Sequence, residues 1–334
     1  METNMRMPPL VAGLLSIGLL LSSPGSACAQ ATSTGAGQIQ PGRPIRVVTG
    51  DPGGGSDLAA RLIAQGLTIS LGQQVIVENR GGSVIIPARI VAQAPADGHT
   101  LLLYSDSIWI LPLMQDHVPF DPVQSFSPVT LPGRSPTVLV VHPSLPARSV
   151  AELIALVRSR PGELNYSSGA AGGVNHLSPE LFKAMAGVNI TRIAYKGAAA
   201  ALNDLIAGQV QLMFPAVASG MPHVKSGRLM ALAVTSAQPT ALAPGLPTVA
   251  ASGLPGYEST LILGVLAPAK TPVTVVSRLN QEIVQVLYRE EVKERFFNAG
   301  IEVVASTPEQ LAASVKSGMA KWGKLIRDAG IRGD

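Results

Sequence analysis

At 334 residues, with 46% apolar and 14% charged residues, the chain has enough apolar surface for packed cores and too little charge for disorder; two domains of ordinary size are expected. Its formal charge of +4 is scattered along the sequence rather than clustered, which argues against nucleic acid as a partner. The single cysteine, Cys28, excludes a disulfide framework or a cysteine-built metal centre.

The first 29 residues carry the order of a secretory signal: Arg6, the apolar run "LVAGLLSIGLLL", then the small-residue stretch "SPGSACAQ". A run of 12 is too short to span a membrane. Ala27 and Ala29 mark an A-x-A cleavage site, so residues 1–29 are predicted to leave and the mature chain to start at Gln30 in the periplasm. A buried core helix is one alternative. Acylation of Cys28, giving a lipoprotein, is another, weakened by Gly25 standing where a large apolar residue is usual. Residues 30–43 read as a polar, flexible linker.

From Ile45 onward, short apolar runs alternate with helical patterns: "IRVV" before 57–70, "QVIVE" before 83–94, then "TLLLY". Such alternation predicts βαβ units on a mainly parallel sheet, an α/β fold. A second series starts near "TVLVV" at 137–141, with Ser149 and Glu152 spaced as a capping box. Further helices are predicted over 176–186, 198–207 and near 219–226, with strands "LNYSS", "NITRIAY", "VQLMF" and "LMALAVT" between and after them. Thr271 and Pro272 read as the start of another helix, and Thr307, Pro308 and Gln310 repeat that signature. The helices expected at 272–288, 290–299 and 308–329 have too few strands for a third domain, so they are expected to return to the first. This gives lobe 1 as 44–138 plus 264–334 and lobe 2 as 139–263, joined by crossings near 138–142 and 262–267, with a ligand cleft where the lobes meet.

The stretch "TGDPGGGSDL", 49–58, places glycines between a strand and a helix. Glycines allow close backbone approach, and the amides at a helix start favour an anion. No Lys-Ser/Thr pair follows, and "GGGSDL" is not G-x-G-x-x-G, so neither a P-loop nor a dinucleotide site is indicated. The competing reading is a structural turn capped by Ser56 or Asp57. "SSGAAGGVNHL", 167–177, has the same form, its helix opened by Asn175 or Ser178, and could face the first loop across the cleft. Ser105, Asp106 and Ser107 end a strand that could point into that cleft, while Trp109 reads as core. Lys196 and Gly197 precede another helix, and Lys196 meets either an anionic ligand or solvent.

Nothing points to catalysis: the five histidines show no H-E-x-x-H spacing, and G-x-S-x-G and S-x-x-K are missing. His176 reads as a structural hydrogen-bonding residue rather than a general base. No cofactor and no metal are expected.

The blocks "PIRVVTGDPGGGSDLAARLIAQGLTISLGQQVIVENRGG", "DGHTLLL", "PFDPVQSFSPV", "LNYSSG", "HLSPELFKAMAGVNITRIAYKGAAAALNDLIAGQVQLMF" and "LPTVAASGLPGYES" resemble, in order, the Bug (TctC-like) family of periplasmic solute-binding proteins, from Pro44 to Ile331. The resemblance implies a monomeric, two-lobed Venus-flytrap receptor of the type II periplasmic-binding class. It also implies a small carboxylate ligand, delivered to a tripartite tricarboxylate transporter or sensed through a histidine-kinase ectodomain. In the family the ligand carboxylate is held by backbone groups and ordered water between the two glycine loops. The matching positions here are Pro52, Gly53, Gly54, Ser56 and Asp57, and Ser168, Gly169, Ala170, Ala171, Gly172, Asn175 and His176.

Three positions depart from the family pattern. Thr49, Gly50 and Asp51 replace an apolar Pro-Phe-Pro or Pro-Phe-Ala run, Asp106 replaces a small neutral residue, and Pro215 stands where Asp is usual. A carboxylate facing a desolvated carboxylate ligand is unfavourable without a cation between them. Asp51, with Asp106, is therefore expected to meet an ammonium or another donor, making the ligand zwitterionic or amide-bearing; alternatively Asp51 caps the loop from outside.

Overall fold

The computed structural model describes residues 39–40, 42–169 and 171–332. The signal sequence, Cys28, most of the 30–43 linker and Ala170 lie outside the described residues.

The first series runs β1 (Ile45–Thr49), α1 (Gly55–Leu71), β2 (Val75–Asn79), α2 (Ile85–Ala92), β3 (Thr100–Ser105), α3 (Ser107–Ile110), β4 (Phe126–Thr130) and β5 (Gly133–Pro136). The second runs β6 (Val138–Val141), α4 (Val150–Ser159), β7 (Asn165–Ser168), α5 (Val174–Ala186), β8 (Thr191–Ala194), α6 (Ala198–Ile206), β9 (Leu212–Met213), α7 (Val217–Lys225) and β10 (Met230–Val234). The chain then returns through β11 (Thr260–Pro268), α8 (Val273–Leu287), α9 (Glu290–Asn298), β12 (Glu302–Val303) and α10 (Pro308–Asp328).

Two sheets result: seven strands ordered β12-β5-β11-β3-β1-β2, with β4 also on β11, and five ordered β10-β6-β9-β7-β8. The expectation of a mainly parallel sheet needs correction. β1 lies parallel to β2 and β3, but β11 runs antiparallel to β3, β4 and β5. In the second sheet β7 is parallel to β8 and β9, while β6 is antiparallel to β9 and β10. β11 meets β3 only after the chain has built the second sheet, and an apolar run reads the same in either direction.

Strand alternation divides each lobe's core between the two faces of its sheet. On one face of the first sheet, Val47, Leu101 and Leu103 pack with α1 and α8; on the other, Val48 and Leu102 pack with Trp109, Leu311 and Trp322. Trp109 is 1% exposed, as a core residue should be. In the second sheet Leu139 and Val141 face one core, Val138 and Val140 the other. Leu177 of α5 packs into the Trp109 and Leu311 cluster, so this second-lobe helix rests against the first lobe.

Capping residues fix several helix starts. Thr307 and Gln310 form a complete capping box on α10. Ser149 accepts from Glu152 N–H as expected, but the Glu152 carboxylate accepts from Arg148 N–H, one residue earlier than a capping box requires. Thr271 does not cap α8: its hydroxyl donates to the Pro268 carbonyl at 2.7 Å, and the helix starts after Pro272.

The chain passes from the first sheet to the second at Thr137 and returns just before Thr260. A buried polar cluster ties these passages together. Thr137 N–H donates to Thr235 Oγ1 at 2.9 Å, and Ser259 N–H donates to the Thr235 carbonyl at 2.9 Å. Ser178 and Ser259 hydroxyls lie 2.7 Å apart, and Tyr257 Oη donates to the Ser178 carbonyl at 2.9 Å. Buried polar groups at a junction must be paired, and here they pair with one another.

Candidate functional site

Strands β3, β1 and β2 are adjacent and parallel, so their carboxyl ends and following loops gather on one edge. This is the edge at which α/β sheets bind ligands.

The loop after β1 is shaped by Asp57, which is 5% exposed. Its Oδ2 accepts from Gly53 N–H at 2.9 Å and from Arg61 Nε at 3.1 Å; its Oδ1 accepts from Asn79 Nδ2 at 2.8 Å. Asn79 also donates to the Gly50 carbonyl at 2.9 Å, which pins both ends of the loop. Gly53 has φ of +82°, a conformation that favours glycine. Burial pushes the Asp57 carboxyl up, but the bonds from Arg61, Gly53 and Asn79 outweigh it and hold the group below the ordinary carboxylate value. The expected turn-capping role is thus met from inside the loop rather than at the helix cap: Gly54 caps α1 with no side-chain bond. Pro52, Gly53 and Gly54 are exposed, and Ser56 is half-buried.

Asp51 is exposed at the mouth of this loop. A methyl group built on Gly81, after β2, would sit 1.7 Å from Asp51 Oδ1, so the carboxylate rests where only a glycine leaves room. On the other side, a methyl group on Gly50 would lie 3.0 Å from the Tyr104 hydroxyl. Burial, and then the Asp51 charge, raise the Tyr104 phenol above its usual value.

At the end of β3 the Ser105 and Ser107 hydroxyls are 2.9 Å apart. Asp106, 8% exposed, bonds through its amide to the Ile262 carbonyl at 2.8 Å, tying it to β11. Burial pushes its carboxyl up to about 7, against the lowering effect of backbone hydrogen bonds from Ile262, Asp106 and Ser107.

In the second lobe, Arg192 braces the loop after β7, donating to Ser168 Oγ at 2.8 Å and to the Gly169 carbonyl at 3.0 Å. A methyl group on Gly169 would lie 3.3 Å from both Ala198 N and Asn175 Nδ2, so the starts of α5 and α6 adjoin there. Gly172 N–H donates to His176 Nδ1 at 3.1 Å, which places the proton of a neutral ring on Nε2. This buried histidine braces the start of its own loop through that bond. Ala171 and Asn175 are half-buried. Lys196 is exposed, and Gly197 caps α6. Pro215 follows β9, which lies parallel to β7 with Met213 opposite Ser167, so it stands on the same sheet edge as the loop after β7; its carbonyl accepts from Val138 N–H at 2.9 Å.

Contacts between the lobes include one at the second glycine loop and one at β12. Gly172, at φ +75°, lies against Met114 of the first lobe, and a methyl group there would come 2.1 Å from Met114 Cε. Thr240 donates to Glu302, whose other oxygen accepts from Arg134 Nε at 2.9 Å. Among the described helices only α4 and α10 carry a side-chain cap, from Ser149 and Thr307; of the others, α1, α5 and α6 open on glycine, at Gly54, Gly173 and Gly197. These starts turn backbone amides and a positive dipole end toward an acceptor, with the Asp57 carboxylate already standing in the first turn of α1. The sequence reading had not singled out Tyr104, Gly81, Met114, Asn79, Arg61 or Arg192. Gly81 and Asn79 stand in "ENRGG" beside the first loop, the one local hint available.

Two α/β lobes joined by paired passages are the architecture of the two-lobed periplasmic binding proteins. The chain belongs to TctC, the tripartite tricarboxylate transporter family receptor, which it matches over residues 59–331. It is 39% identical to the UPF0065 protein in the tcbD-tcbE intergenic region of Pseudomonas sp. (strain P51), over 94% of this chain and 95% of that one. It is 34% identical to protein BugT of Bordetella pertussis, over 96% and 98%. Among solved structures it resembles R. palustris Rpa4515 with adipate, at 37% identity and a TM-score of 0.74, covering 87% of this chain and 99% of that one. MatC from Rhodopseudomonas palustris with bound malate matches at 28% identity and a TM-score of 0.70, covering 86% and 100%.

Proposed function

We propose that this protein is exported to the periplasm and closes its two lobes, 44–138 plus 264–334 and 139–263, over one small carboxylate-bearing solute, which it hands to a tripartite tricarboxylate-type transporter. The observation that carries this reading is the set of three helix starts, from both lobes, that open on glycine without a side-chain cap. The starts of α1, α5 and α6 offer amides and partial positive charge to an anion from both sides. Residues 51–57, 105–107, 168–169, 171–176, 196–197 and 215 supply the walls. Contacts that each lobe makes only with solute present would favour the closed form, a population shift that needs no chemistry. The dicarboxylates present in two related structures, adipate and malate, support the ligand class.

Calorimetric titration of ligand-stripped protein with adipate, malate and citrate tests the reading. At least one is expected to bind with one site per chain. Failure of all three, together with failure of a wider panel of small carboxylates, would contradict it.

A further inference from the structure

We propose that Asp51 and Tyr104 form an ammonium-binding subsite at the rim of the first loop, so that the solute carries a protonated amine as well as its carboxylate. This rests on the carboxylate reading above and adds the second half of the ligand.

The residues follow three adjacent strands: Asp51 lies after β1, Gly81 after β2, and Tyr104 near the end of β3. Gly81 gives the carboxylate its seat, since even a methyl group there would collide with Oδ1 at 1.7 Å. Among the described residues no cation pairs with Asp51. The neighbouring arginines are engaged elsewhere: Arg46 with Glu78 at 3.3 Å, Arg80 with Glu78 at 2.5 Å and Arg61 with Asp57 at 3.0 Å. A solute carboxylate held at the start of α1 would face the uncompensated charge of Asp51 a few residues away. Like charges drawn together out of water are unfavourable, and an ammonium between them reverses the sign. Tyr104 contributes the second element: its hydroxyl lies 3.0 Å from a methyl group built on Gly50, the residue before Asp51, and an aromatic face or a phenol oxygen there attracts a cation.

The test is calorimetric titration of the full mature protein with matched pairs that differ only by the amine: succinate and aspartate, glutarate and glutamate, adipate and 2-aminoadipate, 3-phenylpropanoate and phenylalanine. In at least one pair the amino member is expected to bind tenfold or more tightly. Asp51→Asn is expected to remove that preference, with a loss of roughly tenfold to a hundredfold for the amino member and little change for the plain acid. Gly81→Ala, which displaces the carboxylate without removing it, should act in the same direction, and Tyr104→Phe should act more weakly. Thermal melts establish that each variant is folded. If the plain acids bind as tightly as their amino partners, or if Asp51→Asn leaves the preference intact, the subsite is overturned while the carboxylate reading stands. If neither member of any pair binds, both fall.

Discussion

Asp57→Asn separates a residue that shapes the binding loop from one that touches the solute. All the groups that surround the Asp57 carboxylate are donors: Gly53 N–H, the Arg61 guanidinium and Asn79 Nδ2. An asparagine of the same shape offers one oxygen and turns an NH₂ toward a donor. The Arg61 pair is worth less than about 1 kcal/mol, because the arginine side chain is 55% exposed. The bonds to Gly53 and Asn79 are largely buried and charge-assisted, about 1.5–3 kcal/mol each at most, and Asn79 keeps its bond to Gly50. The net loss is about 2–4 kcal/mol. At about 2 °C per kcal/mol for a protein of this size, scanning calorimetry should show the melting temperature falling by roughly 4–8 °C. Affinity for the solute should fall with it, since Gly53 and Gly54 would no longer be held in place. The pH dependence has a definite sign. With its folded pKa depressed, Asp57 contributes stability that is present above the unfolded value of about 3.9 and is lost as pH falls through the folded one. In the variant this share of the acid-limb loss should be missing. Weakened binding with an unchanged melting temperature would refute the reasoning and place Asp57 on the solute.

Asp106 has the opposite linkage. Its folded pKa, about 7, lies above the unfolded value, so it lowers stability progressively as pH rises from about 4 to 7 and holds that penalty above 7. Asp106→Asn should therefore stabilise the protein more at pH 8 than at pH 5, by an amount on the order of a few kcal/mol; an equal effect at both would show that the acid is not held neutral. Thr235→Val leaves Thr137 N–H without its side-chain acceptor at the passage between sheets. A loss of about 1–3 kcal/mol is expected in urea unfolding, with the far-ultraviolet spectrum retained, and no loss would mean that the cluster does not hold the junction.

The helices were legible in the sequence because their determinants are local. Thr307, Pro308 and Gln310 mark the start of α10 within four residues, and the pattern at 290–299 matches the start of α9 and overshoots its end by one residue. Thr271 misled because a hydroxyl at a helix start has two carbonyl and amide options, and here it bonds backward to Pro268. Strand direction was not legible, since β11 meets β3 from 155 or more positions away, after the chain has passed through the second lobe. The loops proposed to bind the solute were legible as glycine between strand and helix. What the acids do was not: Asp51, Asp57 and Asp106 look alike in sequence, and their roles follow from Gly81, from Asn79 and Arg61, and from Ile262, partners 22 or more positions away in the case of Asn79. Tyr104 was hidden in "TLLLYS" as one more strand residue, because only the fold places it beside Gly50.

The most direct test is a titration of ligand-stripped protein with a small carboxylate that binds it, set against the methyl ester of the same compound. If uncapped helix starts in both lobes hold the carboxylate, the free acid should bind with one site per chain at micromolar affinity or better, about −8 kcal/mol or stronger, and the ester should bind far more weakly. An ester that binds as tightly as its acid would contradict that claim.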